Sequence, residues 1–199
     1  QLRCVMKQKD TKLIIVQSAI DLYKKEGVNN VKISEICHEA KVTRNAFYYY
    51  FKDKESLFDA IGDYLTIVAK EKIIFYKDSN STYQQIWEIY KPFLYEQIEL
   101  GADIMTHCCL SRTSKGLSDN YMYVDDKLAT ALHNFIEIAK KNGEIKTTAL
   151  TDDLVWCSYA IIRGFNIKWC FRYGESNLIE DAKMGLNTLF QPTEEYLLK

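Results

Sequence analysis

ISEICHEAKVTRNAFYYYFKDK, residues 33–54, is the stretch on which the reading of this chain turns. It reads as two short helices meeting at a tight turn, followed at once by the start of a longer helix. In the first, Ile36, Cys37 and Ala40 share one apolar face. Val42 closes the turn, and Thr43 is a good N-cap that offers its hydroxyl to an orphan backbone N–H. The second helix, residues 44–51, splits cleanly: Phe47 and Phe51 point inward, while Arg44, Asn45, Tyr48 and Tyr49 look outward. Solvated helix faces usually hold Glu, Lys and Gln, and so short a helix cannot bury Tyr48, Tyr49 and Tyr50 together. Tyrosine hydroxyls suit phosphate oxygens, and Arg44 and Asn45 suit base edges in a major groove. The competing reading is aromatic packing against neighbouring helices. Lys54 follows the natural cap Asp53 and so stands in a first helical turn, where the helix dipole disfavours a cation. A phosphate in front of that turn would account for it.

Residues 12–65 resemble the N-terminal domain of the TetR family of transcriptional regulators. The resemblance is carried by VTRNAFYYYFKDKESL, residues 42–57, with ICHEA, residues 36–40, ahead of it. It implies that Thr43, Arg44, Asn45 and Ala46 contact bases and phosphates. It also implies that Tyr48, Tyr49, Tyr50 and Lys54 clamp the phosphate backbone, and that Ser34 adds a contact at the start of the second helix. Two positions depart from the family pattern: Lys32 stands where Thr or Ser is usual, and Lys41 where Gly is usual.

The chain's 199 residues are 47% apolar, with 8 Gly and 2 Pro, enough for a sizeable core with few helix breakers. The net charge of −1 hides an asymmetry. Residues 1–54 hold 11 Lys and Arg against 6 Asp and Glu, and the rest holds 15 against 21. A basic head on an acidic body points to a polyanion at the head alone. Cys4, Cys37, Cys108, Cys109, Cys157 and Cys170 fall at apolar helical positions and read as thiols, which suits a reducing cytoplasm. No apolar run approaches the 18 or so residues of a membrane span. Residues 1–5 precede Met6 and read as a remnant ahead of the natural start. The expected division is a helix-turn-helix head over residues 6–53 and a ligand-binding and dimerisation body over residues 54–199.

Helix follows helix beyond the head, with no strand signal. A first helix over residues 11–26 buttresses the head, ended by Gly27. A fourth, from residue 54 to about residue 76, links head and body. Further helices are expected over residues 83–100, with Pro92 inside, 102–112 and 121–142, with loops at residues 78–82 and 114–118. Aromatic residues crowd this region, and an aromatic-lined cavity is where a regulator would hold an effector. Trp87, Tyr90, Phe93 and Trp156 are the candidate wall. His107, Cys108 and Cys109 are adjacent and lack the spacing of a structural metal site. Vicinal thiols could also sense oxidants or a soft metal, though buried Cys commonly behaves as a small hydrophobe. Residues 151–173 are apolar almost all round, and Asn177 starts a final striped helix. Such a pair suits a four-helix bundle about a twofold axis. Tyr159, Ile162, Phe165, Trp169, Leu178, Ala182, Leu186 and Leu189 are its candidate contacts.

The expectation is therefore an all-α protein: a three-helix helix-turn-helix domain joined by a long fourth helix to a C-terminal helical domain. As a homodimer it would hold a pseudopalindromic double-stranded DNA operator, as a repressor released by a small-molecule effector. The chain carries no G-x-S-x-G, H-E-x-x-H, Gly-rich phosphate loop or C-x-x-C, so neither an enzyme nor a cofactor or metal site is expected. The alternative is a helical small-molecule-binding or thiol-based sensor protein with lost or altered DNA binding.

Overall fold

Ile15, Val16, Ala19, Ile20 and Tyr23 fall at helical spacing, and all five are buried on one side of α1 (Thr11–Glu26). The computed structural model describes residues 11–73, 81–114 and 126–199, with the side chains of 112–114 and 126 outside the description. The readings of residues 1–5, of the 78–82 loop as far as residue 80, and of residues 115–125 lie outside the described residues. After α1, Gly27 takes φ +82° and its N–H donates to the Tyr23 carbonyl at 2.9 Å, which ends the helix as expected. Then come α2 (Ile33–Glu39), α3 (Arg44–Tyr50) and α4 (Lys54–Glu71).

The turn between α2 and α3 is a Schellman motif. The Val42 N–H donates to the Cys37 carbonyl at 2.9 Å and the Lys41 N–H to the His38 carbonyl at 3.1 Å, with Lys41 left-handed at φ 55°. Helix α4 is shorter than its apolar pattern suggests. It ends at Glu71, capped by Lys72; the apolar pattern carries no stop signal there, which is why the sequence reading runs on to about residue 76.

The body consists of α5 (Thr82–Leu100), α6 (Ala102–Ser114), α7 (Asp126–Lys141), α8 (Thr151–Phe171) and α9 (Leu178–Phe190). Helix α5 continues through Pro92, and Gly101 at φ +95° turns the chain into α6. Among the described residues there is no strand, only an isolated bridge between Ile145 and Pro192. The fold is all-helical. Helix α4 packs on α5 and α6, α8 on α9, α6 and α7, and α5 on α7. One continuous core runs through head and body, from Ile15 to Leu198.

Buried polar pins fix these packings. Glu144, just past α7, accepts from Ser81 Oγ at 3.0 Å and from the Tyr83 N–H at 2.8 Å, and so caps α5. Tyr83 bonds Asn187 Oδ1 at 3.1 Å, tying α5 to α9. Where α8 crosses α9, a Cβ on Gly185 would stand 2.5 Å from Phe165 Cε2 and 2.6 Å from Ile161 Cγ2. Only a residue without a side chain allows that approach.

Candidate nucleic-acid interface

Two phenylalanines hold α3 in place. Phe47 and Phe51 are fully buried one turn apart, with ring centroids 5.4 Å from each other. Their burial fixes the rotation of the helix and turns its other side out. Tyr48 is 53% exposed, Tyr49 81% and Tyr50 38%. Tyr49 and Tyr50 meet edge to face at 4.9 Å, so the exposed rings brace one another. Arg44 and Asn45 are exposed in the first turn, and Ala46 beside them is half-buried. The Thr43 hydroxyl accepts the Ala46 N–H at 3.1 Å, the cap its sequence position suggests. Ser34 is half-buried in the first turn of α2. Helix α3 therefore presents one guanidinium, one carboxamide and three phenols to solvent.

Lys54 departs from its sequence reading. Its Nζ donates to the carbonyls of Val28 at 2.5 Å and Val31 at 2.9 Å, and lies 5.2 Å above the Tyr23 ring. Burial lowers its pKa, and Asp103 and Glu35 partly offset this. The cation is tolerated in a helix first turn because orphan carbonyls of the α1–α2 loop surround it, and this internal role replaces the phosphate-facing one. Lys32 and Lys41 are exposed near α2 and the turn, and Lys52 is exposed just past α3. Lys52 escaped the sequence reading; its place between Phe51 and the Asp53 cap was the available signal.

Lys32 caps α2 with half a capping box. A lysine side chain has no acceptor to offer, so the only side-chain bond is from the Lys32 N–H to Glu35 Oε2 at 2.6 Å.

The four candidate effector residues do not converge. Trp87 and Tyr90 are buried core, with the Tyr90 hydroxyl 2.6 Å from Ser158 Oγ and the Lys183 Nζ 5.8 Å over the Trp87 ring. Phe93 is half-buried. Trp156 is 53% exposed and borders a separate cleft of about 280 Å³, with Ala129, Thr130, His133, Asp152 and Val155. Aromatic content on α5 and α8 does not reveal which rings fill the core.

The candidate dimer contacts need a similar correction. Ile162, Trp169, Leu178, Ala182 and Leu186 are buried within the single chain, while Tyr159, Phe165 and Leu189 are half-buried. The apolar face left open on α8 is a different stripe: Trp156, Ala160, Gly164 and Phe171 are exposed, with Met184 exposed on α9. A helix apolar all round does not show from its sequence which side its own chain covers.

Among the described residues, no group of three or more His, Cys, Asp or Glu is placed to hold a metal ion, and no helix is long and apolar enough to cross a membrane.

Residues 15–61 match the family described as bacterial regulatory proteins, tetR family. The uncharacterized HTH-type transcriptional regulator YuxN of Bacillus subtilis (strain 168) is 29% identical over 93 residues, 47% of this chain and 31% of that protein. The HTH-type transcriptional regulator AcrR of Shigella flexneri is 40% identical over 54 residues, 27% of this chain and 25% of that protein. The matched stretches thus span a third or less of these relatives' own length. Thermus thermophilus FadR, a TetR-family transcriptional repressor solved in complex with lauroyl-CoA, is similar in fold with a TM-score of 0.59. It is 13% identical, and the superposition covers 94% of this chain and 95% of that one. The sequence match falls on α1 to α4, the helices that carry and hold the exposed α3 face, and marks this head as a helix-turn-helix domain of the TetR type.

Proposed function

We propose that this protein is a cytoplasmic, homodimeric DNA-binding repressor, released from a pseudopalindromic operator by a small-molecule effector. Residues 6–53 serve as the reading head and residues 54–199 as the effector-binding and dimerising body. The observation that carries the reading is the outward face of α3, held by Phe47 and Phe51 and bearing Arg44, Asn45 and three exposed tyrosines. Placed in a major groove, Arg44 and Asn45 reach base edges, and Ala46 permits close approach. Thr43, Ser34, Tyr48, Tyr49 and Tyr50 reach phosphates, with Lys41 and Lys52 adding charge on either side. Two such heads fit half-sites about 34–36 Å apart, or somewhat more. The exposed α8 stripe and Met184 supply the self-complementary face that a twofold dimer needs.

Helix α6 supports the coupling. The Val28 N–H donates to Asp103 Oδ2 at 3.1 Å, the His107 ring stacks on Phe58 at 5.1 Å, and Ser111 Oγ lies 2.9 Å from both the Glu55 carbonyl and Asp59 Oδ1. These residues recur every four positions along one edge of α6, and each touches the head or α4. An effector that shifts α6 would shift the head, and a coupling of about 1–3 kcal/mol is enough for regulation. That Thermus thermophilus FadR, similar in fold, was solved in complex with lauroyl-CoA supports a small-molecule effector for this chain.

The test is a mobility shift over a salt series on the DNA immediately upstream of the gene. Arg44→Ala should lose about 1–3 kcal/mol of sequence-selective binding. Lys52→Ala should weaken binding to all sequences alike and lower the salt slope by about 1. Equal binding by Arg44→Ala and the parent chain would overturn the reading.

A further inference from the structure

Away from the head, α7 and α8 are tied together near the loop that joins them. Thr151 Oγ1 bonds Glu137 there, and Lys140 Nζ donates to the Ala149 carbonyl and to Thr151 Oγ1. About one turn farther along, His133 Nε2 stands 3.4 Å from Asp152 Oδ1. Beyond that pair, Ala129 and Thr130 offer only short side chains to Val155 and Trp156, and the helices leave the cleft of about 280 Å³ between them. Val155 is buried and Ala129 half-buried, so the floor is apolar, whereas Asp152 and Trp156 are exposed at the rim. None of the six lining residues is Lys or Arg. Asp152 and Asp153 also stand in the first turn of α8, where the helix dipole already has its anions and calls for no other. An exposed indole beside a carboxylate, above an apolar floor, is the surface that attracts an organic cation. The volume lies just under the about 300–1,000 Å³ of small-molecule sites, which confines the occupant to a compact molecule.

We propose that the α7–α8 cleft binds a compact organic cation, an alkyl- or arylammonium with a small apolar body. Its charged head lies over the Trp156 ring and beside Asp152, where ring quadrupole and carboxylate act together. Its apolar body rests on Val155 and Ala129. The ammonium takes the place beside Asp152 that the His133 ring holds in the empty cleft. Trp156 also begins the open α8 stripe, so the site lies at the margin of the proposed twofold face. An occupant seated between α7 and α8 presses on α8, and α8 packs on α6. Asp103, His107 and Ser111 hold the head from α6, so the same displacement reaches the reading helices. This last consequence rests on the regulator reading; the binding of the cation does not.

The experiment titrates the full chain with benzyltrimethylammonium by calorimetry, with benzyl alcohol as the uncharged control. Tryptophan fluorescence is read in parallel: Trp87 and Trp169 are buried, so a change on binding belongs to Trp156. The expected result is one site per chain with a Kd of about 1 mM or below, and benzyl alcohol at least about tenfold weaker. Asp152→Asn and Trp156→Leu should each weaken the cation at least about fivefold. Both residues are exposed, so neither change opens the core. Ala129→Leu lies on α7, off the α8 stripe, and should fill the cleft and block binding while leaving the ring and the carboxylate in place. Circular dichroism checks that each variant folds, and titration of the parent chain with the two probes decides the charge preference without any variant. Equal binding of the two probes, no heat with the cation at about ten times that Kd, or undiminished binding by Asp152→Asn or Ala129→Leu would overturn the proposal. On the upstream duplex, saturating cation should change the Kd for DNA at least about fivefold. A bound cation that leaves that Kd unchanged overturns the coupling to the head. Should the chain bind no DNA at all, the regulator reading falls, and calorimetry alone upholds or overturns the cation site.

Discussion

Lys41 and Lys54 flank the reading helix, and the backbone treats them in opposite ways. Lys54 is drawn inward by the carbonyls of Val28 and Val31. Lys41 stays exposed, but its backbone is left-handed at φ 55°, a conformation costing an L-residue about 1–2 kcal/mol that glycine avoids. Lys41→Gly should therefore raise stability by about 1 kcal/mol once glycine's larger unfolded-state entropy is deducted, or about 2–4 °C in Tm. If Lys41 also neutralises a phosphate, the same variant binds DNA more weakly. A melting curve and a binding isotherm on one preparation separate the two effects. The Thr43 cap and the inward Phe47 were legible because their signals lie within one turn of the residue. The partners of Lys54 lie more than twenty residues back along the chain, beyond the reach of any local pattern.

At the scale of elements, the caps decide as much as the apolar stripes. Helix α5 begins on Ser81 and on Glu144, which is far away in sequence. Burial by itself would push the Glu144 carboxyl up, but bonds from the Tyr83 and Thr82 N–H groups and the Asn142 and Ser81 side chains outweigh it. The net effect holds the group below its ordinary value of 4.5. The folded chain thus binds this proton less readily than the unfolded one. The stabilisation is complete above about pH 4.5 and is lost as the pH falls through the folded value. Glu144→Gln should cost about 1–3 kcal/mol at neutral pH and flatten the fall in stability below pH 4.5. Chemical denaturation from pH 7 to pH 3 measures both. Helix α8 shows the limit of periodicity. Its sequence is apolar all round, so the residues buried by α9 and those left exposed could not be told apart. The steric demand at Gly185 sets that register.

For the whole molecule, the basic head and acidic body follow from charge counts alone. Assembly does not, because it depends on which apolar surface the folded chain leaves open. Gly164 lies exposed in the α8 stripe, with open space for 4 Å around the place a Cβ would take and no positive φ to strain. Gly164→Glu should leave the monomer folded while placing a charge in the proposed twofold face. Sedimentation should then show a monomer whose circular dichroism is unchanged, with operator affinity reduced at least tenfold. A dimer that persists with full affinity would move the interface elsewhere.

The sequence by itself determined the helical class, the helix-turn-helix, the outward polar face of α3 and the resemblance of the head to the TetR family, since each rests on residues within a few turns of one another. The tertiary structure decided the inward turn of Lys54, the Glu144 cap, the dispersal of the four aromatic candidates and the open face of α8. These depend on contacts between residues far apart in the chain, where burial is shared among several apolar faces and only packing selects the one that is covered.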